Sequence, residues 1–138
     1  MSKILLTPLS RISAPGGDVM HIIKPNDPGF NCFGEAYFST VNYKAVKAWK
    51  KHSSMTLNLT VPYGSVKFCF QLSDESYQVI EIGTDSYSRI TVPPGVWFGF
   101  KGLHQPFSLI LNIADLAHDP SEVQRRPNDA FSYSWSDI

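Results

Sequence analysis

Thr91-Val92-Pro93-Pro94-Gly95-Val96-Trp97-Phe98-Gly99-Phe100-Lys101 is the stretch whose reading decides the fold of this chain. A short apolar strand runs into Pro-Pro-Gly, and a second, aromatic strand leaves it. Neither proline can donate to a sheet ladder, so both stand at a strand end. Gly95 supplies the backbone freedom that a sharp turn needs. Such a corner passes the chain from one barrel strand to the next and carries Trp97, Phe98 and Phe100 with it.

Period-two alternation continues in both directions from this corner. Downstream, Gly102 to Pro106 reads as a loop. After it, Phe107, Leu109, Leu111 and Ile113 share one strand face, opposite Ser108, Ile110 and Asn112. Upstream, Met55, Leu57, Leu59 and Val61 alternate with Thr56, Asn58 and Thr60. Pro62-Tyr63-Gly64 turns the chain, and Val66, Phe68, Phe70 and Leu72 then alternate with Lys67, Cys69 and Gln71. Tyr77–Ile82 and Ser88–Val92 are further strands, separated by Gly83-Thr84-Asp85-Ser86. Val19–Lys24, Glu35–Val41 and Ala45–His52 also read as strands. Short strands at this spacing, with turn chemistry between them, predict an all-β sandwich or barrel. The apolar faces predict that Val66, Phe68, Phe70, Leu109 and Leu111 are buried. The only helical signal is a turn over Pro120–Arg126 with Asp119 as its cap.

At 138 residues the chain is read as one domain, 1–138, long enough to bury a core. Twelve basic and twelve acidic side chains cancel, with no charged tail, which argues against generic attraction to nucleic acid or membrane. Nine Phe, six Tyr and three Trp suggest β structure and a cavity with aromatic walls. Met1 to Leu9 lacks the long apolar core of a signal peptide. No apolar run approaches the roughly 18 residues of a membrane span. Cys32 and Cys69 read as two reduced core thiols in a cytoplasmic protein. The four histidines are too scattered for a metal box, so neither a metal nor any other cofactor is expected. Met1 to Leu6 is an apolar, strand-like segment with no hairpin partner nearby. An unpaired strand tends to find another sheet, which predicts a homodimer.

Ala45–His52 carries the densest chemistry. Alternation places Ala48, Lys50 and His52 on one face and Lys47, Trp49 and Lys51 on the other. If Lys50 and His52 point into a barrel, the ammonium beside the imidazole lowers both pKa values and leaves His52 a neutral base. The alternative is that Lys47, Lys50 and Lys51 form a solvated edge that discourages strand addition.

Three blocks of the chain resemble the dTDP-4-dehydrorhamnose 3,5-epimerase-like cupins and the related sugar-nucleotide 3,4-ketoisomerases. Gly34 to Ser39 through Lys47 to His52 is similar to the strand ending in Arg-Gly-x-His, extended to Arg-Gly-x-His-x-His in the ketoisomerases. Leu59 to Phe70 is similar to the Gly-x-Val turn and its following strand. Arg89 through Pro120 contains the Pro-Pro-Gly corner and leads to Ala117-His118-Asp119-Pro120-Ser121-Glu122, which resembles the Tyr-x-Pro-Glu segment. The resemblance implies a cupin-type jelly-roll barrel. It implies general acid–base chemistry beside the keto group of a nucleoside-diphosphate sugar, dTDP-linked, in surface polysaccharide precursor synthesis. In that family a histidine oriented by an aspartate takes the proton, and a tyrosine returns one.

Matched position by position, Lys47 stands on the family's arginine, Lys50 on its catalytic histidine and His52 on the ketoisomerases' second histidine. Phe98 replaces the corner histidine, and Asn112 falls where the family has its acid tyrosine. The expected roles are His52 as base and Lys50 either stabilising the enolate or tuning that base, with Tyr37 on an adjacent strand as proton donor if it faces the cavity. Lys47, Arg89, Asn112, Phe98, Trp97 and His118 complete the expected substrate contacts, with Arg89 reaching a phosphate through its guanidinium fork. Lys50, His52 and Asn112 are expected to line one cavity with an aromatic from the Trp97–Phe100 strand. Two other readings are a non-catalytic sugar-nucleotide binder, which the replaced positions favour, and a metal-dependent oxygenase, which would need bound iron.

Overall fold

The computed structural model describes residues 3–136. Its strands, in chain order, are β1 (Leu5–Pro8), β2 (Arg11–Ile12), β3 (Val19–Met20), β4 (Glu35–Asn42), β5 (Val46–His52) and β6 (Leu57–Tyr63). They continue with β7 (Ser65–Ser73), β8 (Ser76–Gly83), β9 (Ser88–Val92), β10 (Phe98–Gly102), β11 (Phe107–Ala114) and β12 (Val123–Arg125). Two five-stranded antiparallel sheets face each other as a cupin jelly roll, in the orders β1-β9-β6-β11-β4 and β12-β5-β10-β7-β8. Leu57, Leu59 and Val61 from one sheet meet Val66, Phe68 and Phe70 from the other in the core between them. The expected helical turn forms over Pro120–Glu122, with the Asp119 carboxylate accepting from Ser121 N, and Val123–Arg125 then runs on as β12. The Val19–Lys24 strand shortens to Val19–Met20. Among the described residues, no helix is long and apolar enough to cross a membrane.

Two expectations need correction. Val66, Phe68 and Phe70 are fully buried in the core and Leu111 is buried, but Leu109 is only half-buried. β11 in fact sends Ile110 and Ala114 into the core, together with Ser108 and Asn112, and turns its leucine face outward. The inversion has a physical cause. Both inward polar groups have partners there: the Ser108 hydroxyl accepts from Ser65 N and donates to Ser65 O, and Asn112 Nδ2 donates to the Tyr37 hydroxyl. The outward leucines cover a sheet whose other outer positions, Asn58, Arg89 and Thr91, lie beneath residues 21–30. What remains of this outer face is apolar and open, with Phe38 63% and Phe33 66% exposed.

The second correction concerns the N-terminal strand. Leu5–Pro8 pairs with β9 of its own chain, Leu5 opposite Thr91, so it needs no partner subunit to satisfy its ladder. Met1 and Ser2 lie outside the described residues.

The outer face of the second sheet is covered by a segment that the periodicity does not register. Phe131, Tyr133 and Trp135 pack over Trp49, Trp97 and Cys69. Burial there pushes the Cys69 thiol up to about 12, which leaves it inert. Cys32, in contrast, is exposed, so only one of the two free thiols is a core residue.

Candidate active site

β5 builds one wall of the barrel cavity, and it is not a regular strand. Against β10, Phe98 pairs with Lys50 but Gly99 pairs with Ala48, a register shift that marks a bulge. The alternation slips by one residue at this point. Lys47 and Lys50 both line the cavity, whereas simple alternation puts them on opposite faces. Trp49 is directed to the outer face, 1% exposed.

The cavity has two adjoining chambers of about 430 and 330 Å³ that share Tyr37, Lys50 and Arg125. The larger has an apolar floor of Leu57, Leu59, Phe98, Phe100 and Ile110. Asn112 enters it from β11, and its Nδ2 donates to the Tyr37 hydroxyl at 3.0 Å. The Asn112 Oδ1 is buried with no partner among the described residues. Lys47 and Arg125 stand at its basic rim. Lys47 Nζ donates to the Thr40 carbonyl at 2.7 Å, which ties β5 to β4 on the opposite sheet.

The smaller chamber holds His52 and His118. His52 Nδ1 donates to Glu122 Oε1, and both side chains are buried. The other carboxylate oxygen accepts from Ser54 N and Met55 N, each at 3.1 Å. Burial works to raise the Glu122 carboxyl, but the hydrogen bonds from His52, Ser54 and Met55 outweigh it and hold it below the usual carboxylate range. The ionised carboxylate can only accept, so Nδ1 carries the imidazole proton and Nε2 presents a lone pair. That Nε2 is buried and has no partner among the described residues. Burial lowers the His52 pKa, helped by Lys50 and Arg125 and opposed by the bond and charge of Glu122, so the ring is neutral at physiological pH. Burial, followed by the charge of Arg125, also holds Lys50 below an ordinary lysine.

The Pro-Pro-Gly corner locks this wall from outside. Gly95, at φ 86°, donates its N–H to the His52 carbonyl at 2.7 Å. Phe98, the next inward residue, lies under Lys50, whose Nζ is 6.0 Å from the ring centroid. His118 is held by its backbone N–H, which donates to Glu35 Oε1 at 3.0 Å.

Lys47, Lys50, His52, Tyr37, Asn112 and Phe98 thus come together around one cavity, with His118 at its smaller end. Two expected contacts do not join them. Arg89 is fully buried on the outer face, because Ile90 takes the inward position beside it. Its Nε donates to Ile22 O at 3.0 Å and its Nη1 to Asn58 Oδ1 at 2.6 Å, so it fastens residues 21–30 to the sheet and reaches no substrate. Trp97 also faces outward, with the Arg126 guanidinium 5.0 Å and the Lys51 ammonium 5.1 Å from its ring. Two site residues escaped sequence reasoning. Glu122 ends the matched Pro-Ser-Glu block, and the orienting acid implied by the resemblance was the signal that could have found it. Arg125 reads as surface until β12 pairs it with Lys50. Among the described residues, no His, Cys, Asp and Glu group could hold a metal ion.

The chain is similar to a dTDP-sugar isomerase from Desulfovibrio desulfuricans G20, with 35% identity over 96% of this chain and 90% of that one, and a TM-score of 0.89. Its fold is shared with a variant of the 3,4-ketoisomerase QdtA from Thermoanaerobacterium thermosaccharolyticum in complex with TDP-4-keto-6-deoxyglucose, at 20% identity over 91% and 89% of the two chains and a TM-score of 0.78. NovW, a 4-keto-6-deoxy sugar epimerase from Streptomyces spheroides, shares it at 12% identity over 88% and 68%, with a TM-score of 0.76. No protein-family model and no curated protein matches the chain.

Proposed function

The chain belongs to the dTDP-sugar isomerase family with the RmlC-like cupin fold, and from that premise we propose that it moves protons beside the keto group of a dTDP-linked 4-keto-6-deoxy sugar. The observation that carries this reading is the buried His52–Glu122 pair, which presents an imidazole lone pair to a basic-rimmed cavity. Glu122 holds the Nδ1 proton, so Nε2 is the base that takes the proton from the carbon next to the carbonyl. The carbon–hydrogen electron pair forms a carbon–carbon double bond as the carbonyl π pair moves to the keto oxygen, which gives an enolate. Lys50, one of the two cations that both chambers share, stabilises that charge. Tyr37 stands on the opposite sheet, held by Asn112, and its hydroxyl is the proton donor on that side. Lys47 and Arg125 supply the positive rim for the diphosphate.

The same reading makes the protein a homodimer, built on the open apolar face around Phe33 and Phe38. A cytoplasmic role in making surface polysaccharide precursors suits an enzyme of activated sugars with free thiols. The test is solvent exchange. With dTDP-4-keto-6-deoxyglucose in D2O, the protein should wash deuterium into the position next to the keto group, and product NMR identifies the carbon. His52→Asn should lose about 10²- to 10⁴-fold of that rate while dTDP affinity stays within about three-fold. Preserved dTDP binding with no deuterium uptake by the wild type would instead make it a binder.

A further inference from the structure

We propose that residues 126–135 form a clamp that fixes the bulge of β5, and through it the positions of Lys50 and His52, with Asn128 as the positioning residue. The proposal rests on the isomerase reading given above. β5 lies next to the edge strand β12, and regular pairing between them ends at Arg125 opposite Lys50. Arg126 and Trp49 then exchange backbone hydrogen bonds, at 3.0 and 2.9 Å. The next residue, Pro127, has no N–H and cannot continue the ladder. Beyond this point the side chain of Asn128 takes over the work of a strand backbone. Its Oδ1 accepts from Ala48 N at 3.3 Å and its Nδ2 donates to Val46 O at 3.4 Å. Its own carbonyl accepts the Trp49 indole N–H at 3.1 Å. One residue therefore holds the strand just before the slip, at Val46 and Ala48, and the residue within it, Trp49.

Packing holds the bulge from its other sides. The Trp49 ring lies 5.2 Å from Phe131 and 5.4 Å from Trp135, centroid to centroid. On the β10 side, a Cβ placed on Gly99 would come within 2.4 Å of Ala48 Cβ and 3.1 Å of Trp135 Cζ2. The bulge is thus wedged between a glycine and the C-terminal segment. A straightened β5 would return Lys47 and Lys50 to opposite faces, since a one-residue slip exchanges the faces of a strand. The cavity would then lose a cation on its side of β5, and the registered position of His52 beside it would relax.

The test uses Asn128→Ala, Asn128→Asp and Trp49→Phe in the full chain. Asn128 also lies on the cavity rim, so the readouts must separate a positioning role from a ligand contact. If Asn128 positions β5, Asn128→Ala lowers kcat about 10- to 100-fold with the dTDP Kd within about three-fold. Asn128→Asp keeps the acceptor for Ala48 and retains most of the rate. The independent readout is the imidazole titration of His52 by NMR. Glu122 faces that ring from the capped turn, Lys50 from β5, Arg125 from β12, and Glu35 and His118 from across the smaller chamber. Loosening β5 admits water, so the His52 midpoint should rise by about half a pH unit or more. An unchanged midpoint and wild-type kcat in Asn128→Ala overturn the proposal. So does a raised dTDP Kd with kcat intact, which would make Asn128 a ligand contact. Should Asn128→Ala fail to fold, Trp49→Phe, which removes the indole donor and shrinks the ring packed on Phe131 and Trp135 and so loosens the same bulge, is judged by the same criteria. Should the wild type show no turnover, the isomerase reading fails on its own, and the His52 midpoint alone decides for or against the clamp.

Discussion

Glu122→Gln is the sharpest test of the His52–Glu122 pair, because the amide cannot repeat what the carboxylate does. The carboxylate accepts from His52 Nδ1 on one oxygen and from Ser54 N and Met55 N on the other. A glutamine has one oxygen and one NH2. If the oxygen faces His52, the NH2 meets two backbone donors, one of them buried, and a buried donor left unsatisfied costs about 1–3 kcal/mol. If the oxygen faces Ser54 and Met55, the NH2 meets Nδ1, and the imidazole only has to move its proton to Nε2. The second arrangement is the cheaper. It replaces charge-assisted bonds with neutral ones, at about 2–4 kcal/mol in all. In a chain of 138 residues that lowers Tm by roughly 10 °C. It also puts a proton on the nitrogen that must act as base, so turnover should fall by about 10²- to 10⁴-fold. Thermal melts, deuterium uptake and nitrogen-15 NMR of His52 measure the three effects. NMR should find Nδ1 protonated in the wild type and Nε2 protonated in the variant. A variant that keeps the Nδ1–H tautomer and a kcat within about three-fold of wild type would refute the argument.

Two further outcomes follow from the same structure. His52 and Glu122 both have depressed folded-state pKa values, so in each case the unfolded chain binds more protons on acidification. Stability should therefore be full above the unfolded value of 6.5, fall below it as unfolded His52 protonates, and fall again below 4.5 for Glu122; urea midpoints that do not change between pH 7 and pH 4 would contradict this. Phe38 is 63% exposed on the open apolar face, so sedimentation at tens of micromolar should show a dimer for the wild type and a monomer for Phe38→Glu; a monomeric wild type would sink the dimer reading.

Much of the fold was legible because alternation and turn chemistry agree wherever a strand is regular. β6, β7, β8, β9 and β11 fall where the periodicity puts them, and Asp119 caps its short turn. The faces were less legible. In β11 the more apolar side turns outward, since alternation reports two faces but not which of them faces the core. Arg89 shows the same limit: a guanidinium on a strand reads as a ligand for phosphate, yet here it is fully buried against the carbonyls of Ile22 and Pro28. The cover from Phe131, Tyr133 and Trp135 was illegible for another reason. It has no ladder of its own, only aromatic rings spaced two apart that dock on Trp49 and Trp97.

The site was half legible, and the illegible half turns on a single slip in register. His52, Lys50 and Asn112 were placed by alternation and resemblance, and they do line the cavity. Lys47 joins them only because the bulge moves the strand by one residue, which no period-two reading of Ala45–His52 can show. The Pro-Pro-Gly corner ties these facts together. Its inward side chain is Phe98 and not an acid or base, so the corner contributes no proton transfer. It contributes an apolar floor under Lys50 and a backbone N–H to the His52 carbonyl. Burial, to which that floor contributes at Lys50, lowers the Lys50 and His52 pKa values alike. Phe98 thus places no base in the cavity, and burial favours the neutral state of the one that His52 supplies. Glu122, fixed by two backbone donors, is what keeps that base in the tautomer with its lone pair toward the cavity.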